Sequence, residues 1–392
     1  MNMTDSPPST QKMAISWSIG HYHGWGVYGL NLVWAMLRRN IVPRLLQKPG
    51  AMDLDPLQAR LMLRVLEDST DTLRVRLLHP NRVIRAADTI PLIHTDGQLA
   101  FDDALFEGKP PVGITFFETA NLPAHHVERA KKFSSIIVGS RWNEQVLKKK
   151  YALKNVHYVM QGVETTQFFP SGRRGLLKDR FVIFSGGKLE FRKGQDIVLE
   201  TFRRFHARHP EALLLTAWSN RWVDATSRFP TRWVDDFPEE GGEALQRWMG
   251  RHLPQESFLD IGPIANPRMP EILREVDVAL FPNRCEGGTN LVAMECMATG
   301  IPVILSANTG HLDLIDDGQC LALKDQQPVI APWSGELLED WGESSVEEAL
   351  EGLERVVRDP KKAAHMGIEG HRFMANHPWN RQCDLVLDWI LA

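Results

Sequence analysis

The chain has 392 residues, 43% of them hydrophobic and 24% charged, with a formal net charge of −4, too long for one ordinary core and suited to two domains of similar size. Its four cysteines, Cys285, Cys296, Cys320 and Cys383, show no paired C-x-x-C spacing, which excludes a disulfide framework and points to a reducing cytoplasm. No run of about eighteen apolar residues occurs, so no membrane span is expected. The densest basic spots, Lys131-Lys132 and Lys148-Lys149-Lys150, lack the interleaved aromatic residues of a nucleic-acid platform.

Residues 1–12 are polar, contain Pro7-Pro8 and lack the apolar core of a signal peptide, and so read as a disordered tail. Met13 to Ile19 reads as a strand, followed by a loop from Gly20 to Gly26 and a helix from Val27 to Arg39 with Leu30, Val33, Trp34 and Leu37 at helical spacing. Gly24, Gly26 and Gly29 formally spell G-x-G-x-x-G. Trp25 between the first two glycines, and the lack of an acid about 20 residues on, argue against a dinucleotide fingerprint. A helix over Asp55 to Leu66, strands over Val112 to Phe117 and Ser135 to Val138, a helix opening at Ser140 or Arg141, and a strand over Val156 to Met160 complete the first series. Glu118 falls at a strand's carboxyl end, where ligands collect in open sheets.

A second series starts after the loop Ser171 to Gly175. Strands are expected at Phe181 to Phe184, Ala212 to Thr216, Val276 to Phe281 and Pro302 to Leu305. Helices are expected at Asp196 to Arg208, Met269 to Glu275, Leu291 to Thr299 and Val346 to Arg358. Two consecutive alternating series imply an α/β protein of two doubly wound, Rossmann-like domains facing a central cleft, divided near residue 171. The Trp-rich stretch from Trp218 to Pro254 has no regular pattern and reads as an insertion. Residues 1–170 carry 20 Lys/Arg and 15 Asp/Glu, a balance of +5 against −9 for the remainder. A basic first half suits an anionic acceptor or the inner face of a membrane.

Two segments of the second series carry chemistry. Gly186-Gly187-Lys188-Leu189-Glu190-Phe191-Arg192-Lys193-Gly194 follows its first strand and precedes a helix, so Lys188, Arg192 and Lys193 converge where a diphosphate could be neutralised. Downstream, Glu286 and Glu295 flank Gly287-Gly288-Thr289-Asn290-Leu291, a glycine loop that opens a helix. Its amides suit phosphate and its carboxylates suit hydroxyls.

Together these segments resemble the donor site of the retaining family-four (group 1) glycosyltransferases, which have the GT-B fold. Eight residues stand between Glu286 and Glu295, one more than those enzymes usually place there. The segments Ile136 to Asn143 and Gly162-Val163-Glu164 to Pro170, with Glu164 for the usual Asp, also resemble family segments. Pro378-Trp379-Asn380 resembles the start of the last family helix. The resemblance implies an acceptor domain over residues 13–170, a nucleotide-sugar domain over residues 171–377, and a helix over residues 378–392 that crosses back to the first domain. It implies transfer of a sugar from a nucleoside-diphosphate donor to a saccharide, lipid-linked or protein acceptor, with retention and without a protein nucleophile. Lys188, Lys193 and Glu286 are then the catalytic candidates. Gly187, Arg192, Gly287, Gly288, Thr289, Asn290, Leu291, Glu295, Gly24 and Gly26 are the donor contacts, and His21, His23, Trp25 and Glu118 the acceptor candidates. No His/Cys metal spacing is seen, and no cofactor or catalytic metal is expected beside the co-substrate. A nucleotide-sugar epimerase or phosphorylase on the same fold, or a non-catalytic sugar-nucleotide-binding module, are the alternatives.

Overall fold

The computed structural model describes residues 11–102, 105–219, 230–234, 242–316 and 318–392. The first series folds around strands β1 (Lys12–Ile15), β2 (Arg44–Leu45), β3 (Ile84–Arg85), β4 (Thr89–His94), β5 (Phe106–Glu107), β6 (Val112–Thr115), β7 (Ser135–Val138) and β8 (Val156–Tyr158). Six of them form a parallel sheet in the order β2-β1-β4-β6-β7-β8, and β3 and β5 pair separately. Helices α1 (Gly24–Arg38), α2 (Pro56–Leu78), α3 (Ala124–Ala130) and α4 (Arg141–Gln145) connect them. Burial on both faces explains why Ile136, Ile137 and Val138 of β7 form a continuous apolar run instead of an alternating one.

The second series builds a parallel sheet from β9 (Phe181–Lys188), β10 (Ala212–Ser219), β11 (Phe258–Asp260), β12 (Val278–Phe281), β13 (Val303–Ser306) and β14 (Leu321–Leu323). Their order is β11-β10-β9-β12-β13-β14. Counted within this domain that is 3-2-1-4-5-6, the doubly wound order, with its switch point between β9 and β12. An antiparallel hairpin, β15 (Gln326–Ile330) and β16 (Leu337–Ser344), follows. The helices are α5 (Gln195–His206), α6 (Glu243–His252), α7 (Met269–Leu273), α8 (Leu291–Ala298), α9 (Val346–Arg358), α10 (Pro360–Ala375) and α11 (Trp379–Leu391). In α9 the 3.6-residue apolar pattern buries Val346, Ala349, Leu350, Leu353 and Val356, and the Ser345 hydroxyl accepts from the Glu348 N–H to cap it.

Helix α11 lies on the first domain. Trp379, Cys383, Val386 and Leu387 belong to the core built around β1 and α1, and Arg39 reaches Asp384 at 3.1 Å and Asp388 at 2.8 Å.

Several boundaries differ from those expected. Lys12 lies in β1 instead of a tail, and residues 1–10 lie outside the described residues. Helix α1 starts at Gly24, three residues early, because His23 Nδ1 accepts from the Gly26 N–H at 2.9 Å and caps it. Strand β9 continues through Gly186, Gly187 and Lys188, expected as loop, since it pairs with β10 as far as Ser219↔Lys188. Trp218 and Trp248 are fully buried in the second core, so these ends of the supposed insertion are integral to the domain. Trp222 lies outside the described residues.

Candidate functional site

The two chemical segments meet at the switch point. The turn after β9 leads to α5 and the turn after β12 leads to α8. The two are joined where the Arg284 N–H donates to the Arg192 carbonyl at 2.7 Å. Glu286 thereby comes against both cations: Lys193 Nζ and Asn283 Nδ2 donate to its Oε1, and Arg192 Nη1 donates to its Oε2 at 3.3 Å. Burial alone would raise the Glu286 carboxyl, but Lys193 and Arg192 outweigh it and hold it down at about 2.

Arg192 is the hub of this cluster. Besides Glu286 it reaches Glu190 at 2.8 Å and, from the other domain, Glu118 at 2.8 Å. Its guanidinium is buried, which taken alone disfavours its charge, yet the three carboxylates raise its pKa. Glu118 is pushed up by burial in spite of Arg192. Lys188 stands at the edge of the cluster, 40% exposed in its side chain and 3.4 Å from Glu190.

The glycine loop has a tighter environment than the sequence implies. A Cβ at Gly287 would overlap the carbonyls of Phe116 and Phe117, and one at Gly288 would stand 2.8 Å from Gln161 Oε1. The Ser140 hydroxyl donates to the Gly287 carbonyl at 2.7 Å. These glycines therefore admit first-domain residues to the loop, a close approach that side chains would prevent. Thr289 is buried with its hydroxyl on Met294 Sδ. Asn290, at φ +63, caps α8 by accepting from the Ala293 N–H and holds His311 Nε2 at 3.0 Å. Leu291 packs against the first-domain core.

Glu295 lies inside α8, away from water. Asn266 Nδ2 donates to its Oε1 at 2.5 Å, and burial pushes its carboxyl up to about 8. The Asn266 N–H donates to the His21 carbonyl at 2.8 Å, so the chain beside Glu295 is tied to the loop after β1. In that loop the acceptor candidates have structural partners. His21 Nδ1 accepts from the Asp53 N–H at 2.9 Å, His23 caps α1, and Trp25 packs on Phe116 with centroids 4.7 Å apart. A cavity of about 160 Å³ opens beside them, lined by Gly20, Tyr22, His23, Gly50 and Ala51.

The structure thus assembles Glu118, Arg192, Lys193 and Glu286 in one cluster, with Lys188 at its edge. Some supporting residues escape a sequence reading. Arg284 is fully buried, bonded to both Asp196 oxygens at 2.9 and 2.7 Å, and 2.8 Å from Glu343. His311 is buried with Nδ1 on the Ser306 hydroxyl at 2.9 Å, and burial lowers it to about 4. A charged residue three positions past the apolar run of β12 was the one available signal for Arg284; a lone histidine far from the motifs offered none. The triplet Asp53-Leu54-Asp55, which could suggest a metal site, is otherwise engaged: Asp55 caps α2 and Asp53 pairs with Arg268 at 2.6 Å. Among the described residues no group of His, Cys, Asp or Glu is placed to hold a metal ion, and no helix is long and apolar enough to cross a membrane.

Residues 171–373, from before β9 into α10, match the family model described as glycosyl transferases group 1. The chain belongs to that family. Among curated relatives of this group 1 chain, mannosylfructose-phosphate synthase of Agrobacterium fabrum is 26% identical over 183 residues, covering 44% of this chain and 38% of that protein. D-inositol 3-phosphate glycosyltransferase of Rhodococcus jostii is 23% identical over 310 residues, covering 76% of this chain and 60% of the relative. The matched part therefore spans less than two thirds of these relatives. Among solved structures, sucrose-phosphate synthase from Thermosynechococcus elongatus superposes with a TM-score of 0.63 at 17% identity, covering 96% of this chain and 98% of that one. Anabaena HepE in complex with UDP and glucose gives 0.64 at 12% identity, covering 97% and 99%. The shared architecture is the GT-B fold.

Proposed function

We propose that this protein is a glycosyltransferase that moves a sugar from a nucleoside-diphosphate donor to a saccharide, lipid-linked or protein acceptor, with retention at the anomeric carbon. The observation that carries the reading is the cluster at the switch point of the second sheet, where Arg192 and Lys193 share Glu286 beside a glycine turn that opens α8. Departure of a nucleoside diphosphate develops negative charge on its phosphates, which Arg192, Lys193 and Lys188 are suited to stabilise in a closed cleft. Glu295 is the ribose partner in this reading, and Glu286 and its neighbours hold sugar hydroxyls. The leaving phosphate takes the acceptor proton, so no protein nucleophile is used. HepE, crystallised with UDP and glucose, lends support to a nucleotide-sugar donor. The basic first half supports an acceptor that is anionic or presented at the inner, anionic face of a membrane.

A thermal-shift panel of uridine, guanosine, adenosine and deoxythymidine diphosphates and their sugars tests the reading, because a ligand that binds only the folded state stabilises it. At 100 times its dissociation constant the matching nucleotide adds about 2.7 kcal/mol. No shift with any of them would refute a nucleotide-sugar site. A shift with nucleotide but no release of it from the sugar, with any acceptor class, would leave a binding module.

A further inference from the structure

The hairpin of β15 and β16 contains an abrupt change of register. Pro328 pairs with Gly342, but the next residue, Val329, pairs with Leu338. Glu339, Asp340 and Trp341 are extruded from the ladder, and Asp340 stands at φ +68, the left-handed region that residues with a side chain rarely adopt. In a regular strand three consecutive side chains point to alternating faces and cannot all meet one partner. Here all three reach the first domain. Lys150 Nζ donates to Glu339 Oε2 at 2.6 Å, Trp142 Nε1 donates to Asp340 Oδ2 at 3.0 Å, and Trp341 Nε1 donates to the Glu118 carbonyl at 2.8 Å.

The Trp341 ring also stacks on Phe191, with centroids 6.4 Å apart and planes at 23°. Phe191 immediately precedes Arg192, and Arg192 pairs with the Glu118 carboxylate at 2.8 Å. One indole therefore contacts the turn that carries the cations and, through its N–H, the first-domain loop that carries Glu118.

We propose that the Glu339–Trp341 bulge is a latch between the domains and that Trp341 is a positioning residue holding Glu118 against Arg192 across the cleft. The latch is independent of the nucleotide-sugar reading, and the kinetic effect of Trp341 rests on it. Each contact is modest alone, since ion pairs near water contribute little. Three contacts on one rigid bulge form and break together, so they bias closure as a unit.

The test uses the full chain. Lys150→Glu opposes two like charges, and Lys150→Glu with Glu339→Lys restores the pair reversed. Both variants lose the Lys150 bond to Asn121, so recovery in the double variant reports the pair alone. Trp341→Phe keeps a ring on Phe191 and removes the N–H donor. Small-angle scattering without ligand reads closure, against a radius of gyration of about 21 Å for a compact chain of this length. Initial rates of UDP-glucose hydrolysis read kcat and KM separately. Lys150→Glu and Trp341→Phe are expected to scatter as more open molecules, and the double variant as the parent. Trp341→Phe is expected to lower kcat on the order of tenfold with KM within about twofold. Single variants that scatter as the parent, or a double variant as open as Lys150→Glu, would overturn the latch. An open Trp341→Phe variant with unchanged kcat would overturn the positioning role. If Trp341→Phe fails to fold, the charge exchange still decides the latch. A parent that hydrolyses no UDP-glucose counts against that donor, while the scattering, which needs no substrate, decides separately.

Discussion

Replacing Glu295 by glutamine should make the protein more stable, and increasingly so as the pH rises. The Glu295 carboxyl is pushed from the usual 4.5 to about 8 by burial, with the Asn266 amide opposing the shift. The unfolded chain releases this proton near its ordinary value, whereas the folded chain keeps it. The folded state thus binds more protons between pH 4.5 and 8, and stability falls as pH rises through that window. Two such pKa values give a cost of about 1 kcal/mol at pH 5, about 3 at pH 7 and about 4 at pH 8. Glutamine keeps the shape and an oxygen for the Asn266 donor, and it does not titrate. The gain of Glu295→Gln over the parent should therefore grow by about 3 kcal/mol from pH 5 to pH 8. Urea unfolding of both proteins across that range measures it, because all other titrating groups cancel in the difference. Parallel stability profiles, or a gap that widens toward low pH, would show that Glu295 ionises normally and that its surroundings admit water.

Other perturbations address the rest of the site. Lys193→Ala should lower turnover by more than it weakens donor binding, because charge on the leaving phosphate grows toward the transition state; a change in KM alone would contradict the role. Arg284→Met leaves Asp196 buried without its partner and should cost about 3–5 kcal/mol, read as a fall in melting temperature that Arg284→Met with Asp196→Leu largely reverses. At the start of α1 the two glycines should behave differently. A Cβ at Gly26 would stand 2.8 Å from the Gly20 carbonyl, whereas one at Gly24 meets nothing within 4 Å. Gly26→Val should therefore lower melting temperature and transfer together, and Gly24→Val should leave melting unchanged, so that loss of transfer in Gly24→Val reports close approach to a ligand.

The parallel strands were legible where they are uniformly apolar, as in β7 and β12, and α9 was legible from its apolar period and its serine cap. Strand β4 was hidden because Pro91 argues against a central strand, although Pro91 pairs with Ala14 in the middle of the first sheet. The hairpin was hidden by its polarity, since Glu339 and Asp340 break the alternation that marks a strand, for the physical reason that they are extruded from the ladder. In the site, the residue types around β9 and β12 pointed to phosphate chemistry. Their pairing did not show, because Glu286 lies 93 and 94 residues along the chain from Lys193 and Arg192, and Glu118 comes from the other domain. The need for Gly287 and Gly288 was visible, but its cause, the backbone of Phe116 and Phe117 and the side chain of Gln161, is a tertiary contact.

The cluster's charge balance bears on how such a site selects its donor. Arg192, Lys193 and Lys188 face Glu118, Glu190 and Glu286, so each buried cation already has a carboxylate partner. An unpaired guanidinium or ammonium there would carry a large desolvation cost, and the carboxylates offset it. In the proposed reading a diphosphate does not fill an empty cationic pocket; it exchanges with carboxylates for the same cations. Affinity is then a difference between two strong sets of interactions, and it stays moderate even though each set is strong alone. Catalysis draws on the same difference, since the cations gain most from the phosphate as its charge grows and the carboxylates gain nothing. Glu118 and Trp341 extend the exchange across the cleft: moving Glu118 relative to Arg192 alters the competition between carboxylate and phosphate, so domain closure and leaving-group stabilisation are two readings of one electrostatic balance.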